Sequence, residues 1–276
     1  MKKSIILLFI FSFSFVFSQE DVYFGKKPSV AAEIIMENGD VKTGYLQNFQ
    51  NPRFVHADML LLGNIEKKLR FEIDEFKFKE EQSSAIEKIG INDIKRIIIL
   101  DKKDGSEKLV YDKMKLKTIN VKGEIIDVNK TVILPLEQEG KANLYGINIV
   151  FTQNNRYTNN IYLPYMKKPD EEYGYVVIDL NRVNFFNLGK IDDKLKKAIY
   201  EVTKDCIPFA DNLDKRIKEF EDDVKTARKE GFEKKKELRK LAKNRGEGFD
   251  AMKIDYEYAS KPYMDLLDEY EQKCRK

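Results

Sequence analysis

The chain has 276 residues, of which 42% are hydrophobic and 35% charged, while glycine (14 residues) and proline (7 residues) are sparse. This composition excludes an intrinsically disordered chain, a collagen-like repeat and a protein with many membrane spans. The 50 Lys and Arg residues nearly balance the 47 Asp and Glu residues. The chain as a whole therefore lacks the basic footprint of a nucleic-acid-binding protein. Its length allows one large domain or two smaller ones.

The N-terminal segment has the order of a secretory signal peptide. Lys2 and Lys3 form a positive start, Ile5–Phe17 is apolar apart from two serines, and Ser18 takes the −1 position of a small-residue cleavage site. A helix as short as the apolar run would rise about 20 Å, too little for a hydrocarbon core of roughly 30 Å. We expect residues 1–18 to be removed, leaving Gln19 as the new N-terminus. The mature chain is then exported to the periplasm or cell exterior, without a transmembrane segment.

Residues 19–189 have the pattern of short strands separated by turns. Asn38-Gly39 lies between two apolar runs and predicts a type I′ hairpin, because both central residues of that turn need positive φ. Ile94–Leu100 ends in four consecutive apolar residues and predicts a strand buried on both faces. Further predicted strands are Val30–Glu37, Val41–Phe49, Leu109–Tyr111, Ile125–Val128, Thr131–Leu136, Leu144–Phe151, Tyr157–Leu163 and Tyr175–Leu180. Many strands without intervening helices favour an antiparallel sandwich or barrel.

Residues 190–276 are predicted to form a helical domain. Asp192–Thr203 has the pattern of a short amphipathic helix. Apolar residues then recur at alternating spacings of four and three in Leu213–Leu241 and again in Met252–Tyr270, which is typical of a coiled-coil seam. The turn-like Asn244–Gly248 between the two segments predicts an antiparallel helical hairpin. The fold class is therefore α+β, a β-rich domain followed by this hairpin.

Three residues interrupt the helical pattern. Gly231 and Lys234 break the first seam, and Pro262 is expected to kink or restart the second helix, with Ser260 as its N-cap. Seams that bury each other leave no apolar stripe for a second chain. We therefore expect the protein to be a monomer through this element.

Cys206 and Cys274 are the two cysteines of the chain. In an oxidising compartment a lone pair is usually bonded, although two buried free thiols are the alternative. If the hairpin turns near Gly246, Cys274 lies level with Glu219, and the segment from Cys206 to Leu213 is long enough to fold back to it. We predict a disulfide between them.

No catalytic constellation is visible in the sequence. His56 is the only histidine. It lies in a strand-like run near Asp58, and we interpret His56 as a structural residue of that strand. The phosphate-binding, dinucleotide-binding, nucleophile-elbow and zinc-protease motifs are all missing. We therefore predict no catalytic residue, no cofactor-binding or metal-binding residue, and no cofactor.

Two surface features leave alternatives open. Five tyrosines could form an aromatic ligand surface or be half-buried strand residues: Tyr157, Tyr162, Tyr165, Tyr173 and Tyr175. The basic run Glu233–Arg245 could contact anionic lipid or nucleic acid. The acid-rich helix predicted to face this run should largely neutralise it, so we interpret the run as a solvated helix face without nucleic-acid binding.

Several short pieces resemble a group of exported, functionally uncharacterised proteins of Bacteroidetes-type bacteria. They are the signal peptide ending in Ser18-Gln19, the strand pair from Asn38 to Tyr45, the run Gly140–Tyr145, and Lys204–Cys206 with a cysteine near the C-terminus. The resemblance implies a β-rich front followed by helices and a terminal cysteine. The resemblance implies no particular activity.

These observations favour an exported cell-envelope binding or structural protein without catalytic activity, with an unknown protein or envelope component as its partner. The alternative is a carboxylate-dependent hydrolase of an envelope or extracellular polymer. A glycosidase-type mechanism needs two carboxylates about 5 to 10 Å apart. A deep cleft lined by converging acids would therefore separate the two hypotheses.

Overall fold

The computed structural model describes residues 26–51, 53–58, 74–100, 108–120, 122–153, 156–176, 191–241 and 247–275. These residues form a β-rich domain followed by helices, two of which pack as an antiparallel hairpin, so the predicted fold class is confirmed. The expected cleavage site at Ser18 and the expected domain boundary at residue 189 lie outside the described residues.

The strands precede the helices in chain order. The strands are β1 (Lys26–Met36), β2 (Val41–Gln50), β3 (Phe54–Asp58), β4 (Glu75–Lys79), β5 (Glu87–Gly90), β6 (Ile94–Leu100), β7 (Lys108–Ile119), β8 (Ile125–Gln138), β9 (Asn143–Gln153), β10 (Arg156–Lys167) and β11 (Tyr173–Val176). A 3-10 turn, Ile91–Asp93, joins β5 to β6. The helices are α1 (Ile191–Thr203), α2 (Ile207–Ala210), α3 (Leu213–Leu241) and α4 (Glu247–Lys273).

The strands form one sheet that closes on itself at one end. Its order is β11-β10-β9-β8-β7-β6-β1-β2-β4-β5. Because β11 also pairs with β7, the strands β7 to β11 close into a barrel. The β11–β7 and β3–β9 pairings are parallel, whereas the other pairings among the described residues are antiparallel. Both parallel pairings join segments far apart in the sequence.

The turn between β1 and β2 differs in type from the prediction. The Met36 N–H donates to Asp40 O at 2.8 Å and the Gly39 N–H donates to Met36 O at 3.0 Å. Gly39 has a φ of 91°, whereas Asn38 is not among the described residues with positive φ. The hairpin is therefore confirmed but type I′ is wrong. A three-residue loop needs the left-handed conformation only at its last residue.

Alternate side chains of the barrel strands face two different cores. Residues facing the barrel interior include Met114, Leu134, Ile147, Ile149, Phe151 and Leu163. Leu144, Tyr162 and Met166 face outward and are buried against the helices. The central strand β9 is thus enclosed on both faces. The prediction of two buried faces is wrong for β6, where Ile97 and Ile99 are buried but Ile98 and Leu100 are only half-buried.

The strands outside the barrel have a core of their own. It gathers buried side chains of β1, β2, β4, β5 and β6: Val30, Ile34, Leu46, Phe49, Phe76, Phe78, Ile89, Ile94 and Ile97. Tyr111 of β7 joins this core, and its ring meets Phe49 edge to face with the ring centroids 5.5 Å apart. The outer sheet and the barrel therefore share β7.

The helices cover the outward face of β9 and β10. Helix α4 packs on these strands, and α3 packs on α4. Gly231 does not interrupt the seam of α3, because it is buried and a Cβ there would lie 3.1 Å from Cβ of Tyr258. Helix α4 runs through Pro262, and the Ser260 hydroxyl donates to Glu257 O at 3.2 Å. The predicted restart with Ser260 as N-cap is therefore wrong, because apolar burial continues on both sides of the proline.

The disulfide partners predicted from the sequence are brought together. Cys206 and Cys274 are bonded, with Cα atoms 5.8 Å apart. Cys206 comes directly before α2, and Cys274 directly follows α4. The bond thus fixes the end of the hairpin to the α1–α2 segment. Among the described residues, no helix is long and apolar enough to span a membrane.

We expect the disulfide to contribute about 4 kcal/mol to the free energy of unfolding, because it closes a loop between residues 68 positions apart. A Cys206→Ser/Cys274→Ser variant should show this loss in urea denaturation under oxidising conditions. Thiol titration of the denatured, unreduced wild-type protein should find no free thiol. Two titratable thiols would contradict the bond.

Substitution of Ile217 by Asp should lower the melting temperature strongly, because Ile217 is buried between the helices of the hairpin. The control Lys218→Asp changes an exposed position one residue away and should leave stability nearly unchanged. If the seams serve only this hairpin, light scattering gives a monomer mass for the wild type and both variants. A wild-type dimer that Ile217→Asp converts to a folded monomer would refute the intramolecular role.

Candidate functional site

A cleft of about 880 Å³ opens where β7 changes its neighbour. Asp112 is the last residue of β7 paired with β6, and Lys115 is the first residue paired with β11. The intervening stretch therefore has neither strand on that edge. The cleft is lined by Ile35, Glu37, Asn92, Lys95, Arg96, Asp112, Lys113, Met114, Lys115, Thr131, Glu139, Asn143, Lys167 and the loop residues 169–172. Its volume lies within the range of roughly 300–1,000 Å³ of small-ligand sites.

The floor of the cleft is a hydrogen-bonded network centred on Asp112. Arg96 and Asp112 are cross-strand neighbours, so the guanidinium reaches the carboxylate with two parallel bonds, Nε to Oδ1 at 2.5 Å and Nη2 to Oδ2 at 2.9 Å. The Tyr145 hydroxyl donates to Asp112 Oδ2 at 2.8 Å, and Asn143 Nδ2 donates to that hydroxyl at 3.1 Å. The network therefore holds side chains from β6, β7 and β9 in one arrangement.

The network also fixes the charge state of its members. The hydrogen bond with Asp112 is the main cause that raises the pKa of Arg96. Burial, together with the Asp112 charge, raises the pKa of Tyr145 far above its usual value. Tyr145 is therefore a neutral hydroxyl donor and Arg96 a permanent cation, and neither is adjusted for proton transfer near neutral pH.

Lys167 fixes the wall opposite β6. Its buried ammonium group donates to the carbonyl oxygens of Lys168 and Pro169 at 3.1 Å and of Glu171 at 2.7 Å. Burial lowers the pKa of Lys167, and the nearby Asp112 charge partly opposes this effect. These bonds shape the loop between β10 and β11.

Ion pairs close the two sides of the rim. Lys113 Nζ lies 2.6 Å from Glu37 Oε1 and donates to Asn92 O at 2.8 Å. Lys115 Nζ lies 2.6 Å from Glu172 Oε1. Both pairs are partly exposed, so they orient the rim more than they stabilise the fold.

The unengaged part of Arg96 is available to a ligand. Asp112 occupies Nε and Nη2, while Nη1 makes no hydrogen bond with the described residues. The nearest other carboxylate is that of Glu139, 3.9 Å from Nη2 and 69% exposed. Asp170 and Glu171 are exposed on the opposite loop. The cleft thus presents an oriented cation together with exposed anions.

The acid with the most perturbed pKa lies away from this cleft. Glu137 is 4% exposed, and burial raises its pKa to about 7, although Arg53 Nε lies 3.1 Å from its Oε1 and opposes the rise. Glu137 does not line the cleft. Asp112 accepts three hydrogen bonds and is committed to the network. The buried acid with the raised pKa and the charged cleft are therefore separate features of the described residues.

The structure also places the other candidate residues. His56 lies in β3, where its backbone pairs with Val150, and its side chain lies outside the described part. Tyr162, Tyr165 and Tyr175 are buried, so the five tyrosines do not form an exposed aromatic surface. In the described ranges, no three His, Cys, Asp or Glu residues converge as metal ligands.

Sequence reasoning did not identify the residues of the cleft. Arg96 and Asp112 are charged residues within apolar strand runs, IKRIIIL and LVYDKM, and a charge at such a position can indicate a buried pair. Their pairing depends on the β6–β7 register, which the sequence pattern does not fix. The sequence does not indicate the role of Lys167, because its hydrogen-bond partners are backbone carbonyls.

A comparison of the chain with protein-family models, curated proteins and solved structures finds no match.

Glu137→Gln should change the pH dependence of stability. The pKa of Glu137 is about 7 in the folded state, whereas an unperturbed glutamate has a pKa of 4.5. Between these two values the folded state keeps a proton on Glu137 that the unfolded chain has lost. This group therefore lowers wild-type stability as pH rises from about 4.5 to about 7, by on the order of 3 kcal/mol.

Urea denaturation across this pH range should show that the unfolding free energy of the wild type falls relative to that of Glu137→Gln as the pH rises. Glu139→Gln is the matched control, because it removes an exposed acid two residues away. Parallel pH profiles for the wild type and Glu137→Gln would contradict the shifted pKa.

Proposed function

We propose that the protein is an exported, non-catalytic binding protein whose cleft takes a short peptide-like ligand bearing both an anionic and a cationic group. The observation that carries this proposal is the guanidinium of Arg96, which Asp112 holds by one edge within a cleft lined by charges of both signs. The signal-peptide pattern and the disulfide support export to an oxidising compartment.

The charges of the lining decide the ligand class. Five basic and six acidic side chains line the cleft: Lys95, Arg96, Lys113, Lys115 and Lys167, and Glu37, Asp112, Glu139, Asp170, Glu171 and Glu172. A ligand with one sign of charge would meet like charges on one wall. Among the described lining residues none is aromatic, so a sugar ring finds no stacking platform. A zwitterionic ligand such as a short peptide matches charges of both signs.

The network specifies how the ligand binds. A ligand carboxylate accepts a hydrogen bond from Nη1 of Arg96, which its bidentate pair with Asp112 already orients, so little rotamer freedom is lost on binding. A ligand ammonium group is attracted by Glu139, Asp170 and Glu171. No bond of the ligand is broken, because the cleft supplies position and charge but no activated nucleophile.

Calorimetric titration with tetra-alanine tests this function. The peptide with free termini should bind with a dissociation constant below about 1 mM, and its N-acetylated, C-amidated form at least about tenfold more weakly. Arg96→Lys keeps the charge but loses the planar fork, and should also weaken binding about tenfold. Mass spectrometry should recover the peptide intact.

The matched control is Arg228→Lys, the same exchange on an exposed site of α3, which should leave the affinity unchanged. Equal affinity for the free and blocked peptides, or no measurable binding of either, would overturn the proposed ligand class. Cleavage of the peptide would overturn the non-catalytic function.

A further inference from the structure

The C-terminal half of α3 has an outward face that the rest of the fold does not cover. Helix α3 is the outer helix of the hairpin and packs on α4 and α1. In its C-terminal half the residues against α4 include the buried Ala227 and Gly231 and the half-buried Leu238. Phe232 follows Gly231 by one residue, so it points about 100° away from this seam. Phe232 is accordingly 58% exposed.

Phe232 is the centre of a row of basic side chains. Lys225, Arg228, Lys229, Lys236 and Arg239 lie seven, four and three residues before it and four and seven residues after it. At 3.6 residues per turn, all five lie within about 60° of Phe232 on the helix surface. All five are exposed. We call these five residues and Phe232 the basic face.

Acidic residues neutralise this face only in part. Lys225 pairs with Asp222, and Lys236 pairs with Glu233, in exposed pairs along the same helix. Such pairs contribute little and dissociate readily. Arg228, Lys229 and Arg239 have no ion pair with the described residues.

The expected neutralisation by α4 occurs beside the basic face rather than on it. Lys235 Nζ lies 2.5 Å from Asp255 Oδ1, at the edge of the helix interface. Between Lys225 and Lys240 the chain carries eight basic and three acidic residues, although its overall charge is close to neutral. The C-terminal half of α3 therefore carries a local excess of positive charge.

We propose that the basic face of α3 docks on an anionic lipid membrane surface. The face is a straight row on one helix, without a concave pocket that would select a shaped protein partner. A planar layer of anionic headgroups fits such a row, because it attracts each cation independently of the others. Phe232 then enters the boundary between headgroups and acyl chains, as apolar side chains of interfacial helices do. This docking involves residues remote in sequence from the cleft and does not depend on the proposed ligand.

Vesicle sedimentation with the mature, disulfide-bonded protein tests the proposal. The protein should bind vesicles of phosphatidylcholine containing about one third phosphatidylglycerol, and bind pure phosphatidylcholine vesicles far less. Raising the salt concentration to about 0.5 M should release it, because the attraction is screened. Lys229→Ala/Arg239→Ala should weaken binding roughly twenty-fivefold, since each cation near the surface contributes about fivefold. Phe232→Ser should weaken it about tenfold.

The matched control Lys77→Ala/Lys122→Ala removes two exposed lysines from the β domain and should bind like the wild type. All variants change exposed residues and should keep the wild-type melting temperature. Equal binding to neutral and anionic vesicles, or an equal loss in the control, would overturn the proposal. Failure to bind vesicles together with binding to polyglutamate or duplex DNA would instead assign the face to an acidic protein or a nucleic acid.

Discussion

The architecture of the β domain depends on the division of one strand edge between two neighbours. One edge of β7 pairs with β8, and the other edge pairs first with β6 and then with β11. A strand has only two edges, so β6 must leave β7 before β11 can join it. This exchange connects the outer sheet to the closed barrel through a single strand. It also leaves the residues from Asp112 to Lys115 at an opening, and the cleft therefore follows from topology.

The same kind of exchange occurs at β9, where pairing with β8 at Leu144 and Tyr145 gives way to pairing with β3 from Asn148 onward. An arginine–carboxylate pair lies near each exchange, Arg96 with Asp112 and Arg53 with Glu137. A shifted register would leave these partly or wholly buried charges without partners, at a cost of several kcal/mol. Both pairs therefore favour the observed strand register over registers shifted by one or two residues. The more exposed pair, at β7, is also the one that a ligand can reach.

Local signals in the sequence predict much of the fold and little of the candidate site. Alternation and turn residues place most strands, and the seams of α3 and α4 predict the hairpin and, with it, the meeting of Cys206 and Cys274. The short strands β3 and β5 carry too few residues for a periodic signal. The β11–β7 and β3–β9 pairings join distant segments, and such pairings depend on the packing of the whole chain. Arg96 and Asp112 meet only because of the β6–β7 register, so their pairing was not predictable.

The helices determine which surfaces remain for function. Helix α4 covers the outward face of β9 and β10, and its rings, such as Tyr263 against Tyr162 and Phe220, fill the space between barrel and hairpin. The disulfide fixes the C-terminal end of α4 to the segment between α1 and α2. Helix α3 is the outer helix of the hairpin, and the side chains of its basic face are exposed. The cleft is built instead from strand residues where β7 changes its neighbour and from the β10–β11 loop. The two features share no residue, so a substitution in one removes no side chain from the other.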